Sequence, residues 1–187
     1  VTTLGGGINV GSITTDTPGS VNLSGNITTT GAQTYNDAAV LGAATTLTST
    51  AAGAVALNGG ASGLYDLTVN TGGVTTLGGG INVGSITTDA PGSVSLSGDI
   101  TTTGAQTYNE VATLTGGTTL SSTASGGVSL QQGVSGAFDL AVNTSGITRL
   151  GGAVDLASLT TDAGGSVELP GSVTTSGAQT YNDAAVL

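Results

Sequence analysis

VTTLGGGINVGSITTD fills residues 1–16 and returns unchanged at residues 74–89. A diverged copy, ITRLGGAVDLASLTTD, lies at residues 147–162, and GAQTYN occurs three times at the same interval of 73 residues. A fixed internal period is typical of elongated repeat proteins, in which each unit packs on its neighbours. The 187-residue chain is therefore predicted to be one continuous solenoid. Its long repeats are 1–73, 74–146 and, in part, 147–187.

A shorter motif divides the long repeat. It consists of an apolar residue, any residue and Leu, followed by a small residue, and its leucines are Leu4, Leu23, Leu41, Leu57 and Leu77. They are separated by 19, 18, 16 and 20 residues, and the same intervals recur after Leu77. If each interval is one turn, a long repeat holds four coils of 16–20 residues. The whole chain would then hold about ten coils.

The coils are predicted to be β-strands. Val21 and Leu23 are two residues apart, so their side chains point to the same side of a strand. Thr, Val and Ile dominate these segments and favour a pleated surface. The 34 glycines and the lack of a helical apolar period argue against helices. Asn22, Val40 and Asp155 alternate with inward positions and are expected to face outward.

These features predict an all-β fold, a right-handed parallel β-helix with two or three short strands per coil. The left-handed β-helix is the alternative, since its coils also have about 18 residues. The variation in coil length favours the right-handed form, whose turns are looser. With coils about 4.8 Å apart, ten coils would form a rod about 48 Å long.

The charge balance narrows the functional classes. Eleven acidic residues, one basic residue (Arg149) and no His give a formal net charge of −10. Nucleic acids and anionic membranes require clusters of Lys or Arg, so neither is an expected partner.

Cysteine is absent, which removes disulfides and thiol chemistry from consideration. No apolar run approaches the roughly 18–20 residues of a membrane-spanning helix.

The sequence offers no pattern typical of an active site. β-Helical enzymes need clustered carboxylates, often with Lys or Arg nearby. Asp16, Asp89 and Asp162 recur at four-coil intervals, about 19 Å apart, and are expected to be solvated turn residues. Calcium-binding GGxGxDxUx nonapeptides are also missing. We therefore predict neither an enzyme nor a metal or cofactor site.

Aromatic residues are the remaining candidates for a binding surface. Tyr35, Tyr108 and Tyr181 lie in equivalent YND or YNE segments, and Tyr65 and Phe138 form a second equivalent pair. One interpretation is a ligand surface on which Tyr35, Tyr108 and Tyr181 stack on sugars. The alternative is that these rings cover the coil at a turn. An ice-binding array of Thr is a further possibility, against which the uneven spacing of Thr-rich segments argues.

SGAQTYNDAAVL, TTLTST and SITTD resemble the repeat regions of filamentous-haemagglutinin-type adhesins, the very large exoproteins of bacterial two-partner secretion systems. The resemblance extends over the whole chain. It implies a right-handed β-helical shaft that is secreted through an outer-membrane partner and displayed on a Gram-negative surface.

The leading hypothesis is therefore structural. The chain would be a shaft segment of a large secreted adhesin or extracellular filament, which projects a binding region. Its contacts would be the neighbouring coils of the same chain and, at exposed strand edges, end-to-end copies. A repeated surface that binds a host glycan or matrix receptor directly is the second hypothesis. An ice-binding solenoid is the third.

Overall fold

The computed structural model describes residues 1–187 and consists of β-strands and turns, without a helix. The strands, in chain order, are β1 (Thr2–Gly5), β2 (Ile8–Val10), β3 (Ile13–Thr15), β4 (Ser20–Thr29), β5 (Gln33–Tyr35), β6 (Ala38–Ser49), β7 (Val55–Leu57), β8 (Ala61–Ser62), β9 (Leu67–Thr71), β10 (Val74–Leu77), β11 (Ile81–Val83), β12 (Ile86–Thr88), β13 (Ser93–Thr102), β14 (Gln106–Tyr108), β15 (Val111–Ser122), β16 (Val128–Leu130), β17 (Val134–Thr144), β18 (Ile147–Leu150), β19 (Val154–Thr161), β20 (Ser166–Glu168), β21 (Val173–Thr175), β22 (Gln179–Tyr181) and β23 (Ala184–Val186).

The strands stack in parallel to form a β-solenoid of about nine turns. It has three faces, which we call face I, face II and face III because they begin with β1, β2 and β3. The chain visits the faces in that order in every turn. Some strands bend across a corner, as β4 does: its first half pairs with β1 on face I and its second half with β2 on face II. The predicted parallel β-solenoid is thus confirmed.

Stacked aliphatic side chains fill the interior. Leu57, Leu77, Leu96 and Leu114 pair in consecutive turns on face III, and all four are buried. They belong to one apolar cluster of 32 buried residues. Burying a leucine side chain contributes about 1.5–3 kcal/mol. Because each turn supplies this surface to the next, the core lengthens with the chain and does not thicken.

The subdivision of the long repeat differs from the predicted four coils. Leu4, Leu23 and Leu41 lie one turn apart on face I, as expected. Leu57 lies on face III of the same turn as Leu41, since it pairs with Tyr35. The 16-residue interval is therefore two-thirds of a turn, because the apolar-x-Leu motif occurs on more than one face. Paired residues in adjacent turns are 18 to 22 positions apart.

One long repeat advances the chain by three and two-thirds turns. Four turns along face I lead from Thr2 to Ile81. Thr75, the equivalent of Thr2, lies one strand before Ile81 and therefore on face III. Each repeat thus rises by about 18 Å and is rotated by a third of a turn relative to the preceding one. A given sequence motif returns to the same face only after three repeats.

The inward and outward assignments are confirmed. Asn22 and Val40 are exposed between buried neighbours, and Asp155 is exposed between Val154 and Leu156. This alternation is what the two-residue period of a strand requires. No helix suited to crossing a membrane is present.

Candidate functional site

The Gln and Tyr side chains of the first two GAQTYN segments form a buried hydrogen-bonded unit in the interior of the solenoid. Tyr35 and Tyr108 are both 0% exposed. The Tyr35 hydroxyl donates to Gln33 Oε1 at 2.8 Å, and Gln33 Nε2 donates to the carbonyl oxygens of Ile27 and Thr48 at 3.3 and 2.8 Å. A side-chain amide in an apolar core needs such partners, because an unpaired buried polar group costs about 1–3 kcal/mol.

The tyrosine–glutamine bond recurs in the other two repeats. Tyr108 donates to Gln106 and Tyr181 donates to Gln179, both at 3.0 Å. The three rings lie on three different faces, and only Tyr181 is partly exposed. The interpretation of Tyr35, Tyr108 and Tyr181 as a ligand surface requires accessible rings, whereas the coils enclose the first two. The structure also places these rings inside the coil, not over a turn.

Enclosure by the coils also makes the tyrosine hydroxyl groups harder to ionise. Burial raises the pKa of the Tyr35 hydroxyl well above its usual range. At Tyr108 burial again has the largest effect, and the nearby Glu110 carboxylate raises the pKa further. Burial also raises the pKa of Tyr181. The buried phenols therefore remain protonated hydrogen-bond donors at more alkaline pH than an exposed tyrosine does.

Aspartates at the corners of the solenoid bind backbone amides of the preceding turn. Asp89 Oδ1 accepts from the Thr71 N–H, and Asp162 Oδ1 accepts from the Thr144 N–H, both at 2.9 Å. These residues are turn residues, as expected, and they also satisfy N–H groups at the strand ends. Asp89 follows face II and Asp162 follows face I. The rotation between repeats therefore keeps equivalent carboxylates apart.

Glu110 lies one turn beyond Asp89 and is 3% exposed. Burial raises the pKa of its carboxyl group and the Asp89 charge raises it further, whereas the hydrogen bond from Thr88 and backbone hydrogen bonds lower it. The Thr88 hydroxyl donates to Glu110 Oε2 at 2.6 Å. The enclosing coils keep a substrate away from this carboxyl group.

The aromatic side chains that face solvent are Tyr65 and Phe138, which are 46% and 41% exposed. Tyr65 lies in the bend between β8 and β9, with the sequence SGLYD, and Phe138 lies at a register shift within β17, with the sequence SGAFD; we call both segments aromatic loops. Gly63 and Gly136 open these loops with φ values of +132° and +145°. A side chain at either glycine would lie 2.6 Å from a leucine carbonyl oxygen of the preceding turn. Only glycine therefore allows the chain to leave the coil here.

An aspartate anchors each aromatic loop to the next turn. Asp66 Oδ1 accepts from Ser85 Oγ at 2.7 Å, and Asp139 Oδ1 accepts from Ser158 Oγ at 2.6 Å. One exposed aromatic ring is therefore held in place per complete long repeat. Sequence reasoning paired Tyr65 with Phe138 but did not identify this pair as the exposed one. The glycine two positions before each aromatic residue could have indicated that this pair is exposed.

Outward threonines form short ladders, in contrast to the irregular arrangement expected from the sequence. One ladder on face II has four rungs in successive turns, about 14 Å in all, and it continues as Ser129. The equivalent ladder of the next repeat begins with Thr119 on face I. The rotation therefore divides the threonines among the faces, which does not favour a long flat ice-binding array. The four rungs are Thr46, Thr68, Thr87 and Thr107.

Two recesses open on the surface. The larger, of about 430 Å³, lies beside the second aromatic loop and is lined in part by Gly136, Ala137 and Asp155. The smaller, of about 160 Å³, lies beside the ion pair between Arg149 and Glu168. No group of three or more His, Cys, Asp or Glu side chains is placed to hold a metal ion.

No protein-family model matches the chain, and no curated protein or solved structure is significantly similar to it. Interpretation of its function therefore rests on its own sequence and geometry. These describe an acidic rod with a continuous core, two exposed aromatic loops and one sizeable recess.

Proposed function

We propose that the chain is a structural shaft segment of a large secreted bacterial surface adhesin or extracellular filament, of the filamentous-haemagglutinin type that its repeats resemble. The observation that carries the proposal is the stacking of three parallel faces around one continuous apolar core. Such a rod gains length with every added repeat at constant cross-section. That property suits a spacer which holds a binding region away from a cell.

The distribution of side chains supports this role. The interior is occupied mainly by aliphatic residues, with buried Thr and hydrogen-bonded Gln and Tyr among them, and the outside is mainly Thr, Ser, Asn and Gly. The absence of Lys, His and Cys removes the usual bases that activate a Ser or Thr hydroxyl and leaves the carboxylates as the main acid–base groups. We infer that the segment is not an enzyme and uses no cofactor. Export through an outer-membrane partner and display at the cell surface belong to the same proposal.

The spacer role is tested by displaying a reporter binding domain on one, two or three 73-residue repeats at a cell surface. The distance of the reporter from the membrane, measured by fluorescence energy transfer to a membrane dye, should increase by about 18 Å per repeat. The ligand specificity of the reporter should not change. A distance that stays constant as repeats are added would contradict the proposal.

A direct receptor-binding surface is the second candidate, and the exposed loops with Tyr65 and Phe138 favour it. It is tested by screening the monomeric fragment against glycans and matrix proteins, beside a Tyr65→Ala/Phe138→Ala variant. Val40→Thr is the matched control, because the equivalent exposed position of the second repeat is Thr113. Absence of binding supports the shaft. Binding that is lost only in the aromatic variant would replace the shaft proposal by a binding function.

A further inference from the structure

Asn58 and Gly59 form the only Asn-Gly pair among the ten asparagines of the chain, and no Asp precedes a Gly. The pair lies at the corner between β7 on face III and β8 on face I, where Asn58 is exposed. Turns lie on both sides of this corner, since β7 pairs with β5 before it and with β10 after it. The surroundings of the pair are therefore those of the continuous solenoid.

An exposed Asn-Gly pair has the chemistry of an asparagine that loses its side-chain amide spontaneously. The attacking group is the backbone nitrogen of the following residue, and a glycine leaves it unhindered because it has no side chain. Asn58 Nδ2 donates to Asn36 Oδ1 at 2.9 Å, and the Gly59 N–H donates to the Tyr35 carbonyl oxygen at 3.3 Å. Each bond contributes only about 0.5–1.5 kcal/mol, so neither prevents the side chain from turning toward the nitrogen.

The second repeat carries an unreactive copy of this corner. Gln131 and Gln132 stand in place of Asn58 and Gly59, and the Gln131 N–H makes the equivalent bond to the Tyr108 carbonyl oxygen. Glutamine has one more methylene, so the attack must close a larger ring, and here the attacking nitrogen is flanked by a side chain. The other asparagines are followed by Val, Leu, Ile, Thr, Asp or Glu, whose side chains hinder the attack.

We propose that Asn58 is a site of spontaneous modification, at which water converts the side-chain amide to isoaspartate or aspartate. The Gly59 nitrogen loses its proton and bonds to Asn58 Cγ, and the bond from Cγ to Nδ2 breaks to release ammonia. Water then opens the resulting succinimide at either carbonyl group, which yields one carboxylate and one restored backbone amide. The exposure of Asn58 gives water access to both steps.

The isoaspartate product lengthens the backbone where the packing leaves no space for it. The chain then runs through Cβ and Cγ of residue 58, so one methylene enters the main chain before Gly59. A Cβ atom at Gly59 would overlap the backbone of Asp37 in the preceding turn, and one at Gly60 would overlap the Gly80 carbonyl oxygen in the next turn. Because the corner is confined on both sides, the added methylene displaces it and weakens the hydrogen bonds across it.

Ageing of the whole chain at mildly alkaline pH tests the modification. Mass spectrometry of proteolytic fragments, combined with enzymatic methylation of isoaspartate, identifies each converted residue. Asn58 should convert at least about tenfold faster than any other asparagine, a difference of about 1.4 kcal/mol in activation free energy. Asn58→Gln, which copies Gln131, should remove this conversion. The proposal is overturned if Asn58 converts no faster than Asn36.

Amide hydrogen exchange of the aged chain tests the consequence. The N–H groups of Ala39 and Ala61 donate to carbonyl oxygens of the next turn at this corner, at 3.0 and 3.2 Å. Both should exchange at least about tenfold faster after conversion, because the displaced corner opens more easily. Ala112 and Val134 make the equivalent bonds in the second repeat and should exchange as before. Unchanged exchange at Ala39 and Ala61 in the converted chain would overturn this part of the proposal.

Asn58→Asp separates the charge of the product from the added methylene. It should leave the exchange rates of Ala39 and Ala61 unchanged, and an acceleration equal to that in the aged chain would contradict the role of the lengthened backbone. The modification affects a corner of the coil, whether the chain serves as a shaft or as a binding surface. Its test is therefore independent of the proposed function.

Discussion

Residues 104–110 and 177–183 have nearly the same sequence but different surroundings. Tyr108 pairs with Thr88 on one side and Leu130 on the other, and it is fully buried. Tyr181 pairs with Thr161 alone and is only partly buried. Both tyrosines nevertheless keep the 3.0 Å bond to the glutamine two residues before them. One neighbouring turn is therefore enough to shape the strand, whereas two turns are needed to bury it.

The largest contrast is expected for leucine to aspartate changes. Leu96→Asp places a charge between two turns and should lower the free energy of unfolding by about 4–5 kcal/mol or abolish folding of that region. Leu169→Asp, at the equivalent but partly exposed position, should cost about 1–2 kcal/mol. Urea unfolding followed by circular dichroism measures both. Ser95→Glu is the control, because Glu168 occupies the equivalent outward position. Similar losses of stability in both leucine variants would contradict the expected difference between a doubly and a singly covered turn.

The buried amide should give the next largest contrast. Gln106→Leu removes the acceptor of the Tyr108 hydroxyl and the donor to two backbone carbonyls. We expect a loss of about 2–3 kcal/mol, because these groups are left unpaired inside the core. Gln179→Leu should change stability by less than about 0.5 kcal/mol, since water replaces the lost bonds there. The same urea unfolding experiment applies, and a large effect at Gln179 would contradict this account.

Removal of the phenol oxygen should have a smaller effect. Tyr108→Phe leaves Gln106 Oε1 without its donor and should cost about 1 kcal/mol. Tyr181→Phe should be close to neutral, because Gln179 is exposed. Thermal unfolding of the two variants side by side measures the difference. Equal melting temperatures would show that the hydroxyl contributes little even where it is buried.

The smallest effect is expected from pH. The folded-state pKa of Glu110 is raised, so the folded protein holds this proton more tightly than the unfolded chain does. The resulting stability is present below the unfolded pKa and is lost as pH rises through the raised folded pKa. Glu110→Gln, which still offers an acceptor to Thr88, should remove this loss. Unfolding midpoints from about pH 4 to about pH 7 should therefore fall less in Glu110→Gln than in the unaltered chain.

Much of the fold follows from the local sequence pattern. The two-residue alternation predicted the strands and the outward positions of Asn22, Val40 and Asp155, because only one face of each strand can be buried. The repeat period predicted that these strands stack in parallel. The number of turns per repeat was missed, because Leu41 and Leu57 carry the same motif on different faces of one turn. The motif indicates that a residue is buried, but it does not indicate on which face of the solenoid the residue lies.

The candidate site was less predictable. Tyr35 was interpreted either as a ring that stacks on sugars or as a cover at a turn, and its hydrogen bond to Gln33 appears only in three dimensions. Tyr65 and Phe138 are exposed because a glycine two residues earlier lets the chain leave the coil. The recess beside Asp155 depends on residues from three successive turns, which no local pattern brings together.

The rotation of a third of a turn per repeat has a consequence for how such a chain changes in evolution. Paired residues are 18 to 22 positions apart, so duplication or loss of one 73-residue unit preserves the pattern of pairing between turns. The part of the chain beyond the altered point, however, is rotated by a third of a turn about the solenoid axis. Gain or loss of a repeat thus changes the direction in which a distal module points, and three such events in the same sense restore the original direction.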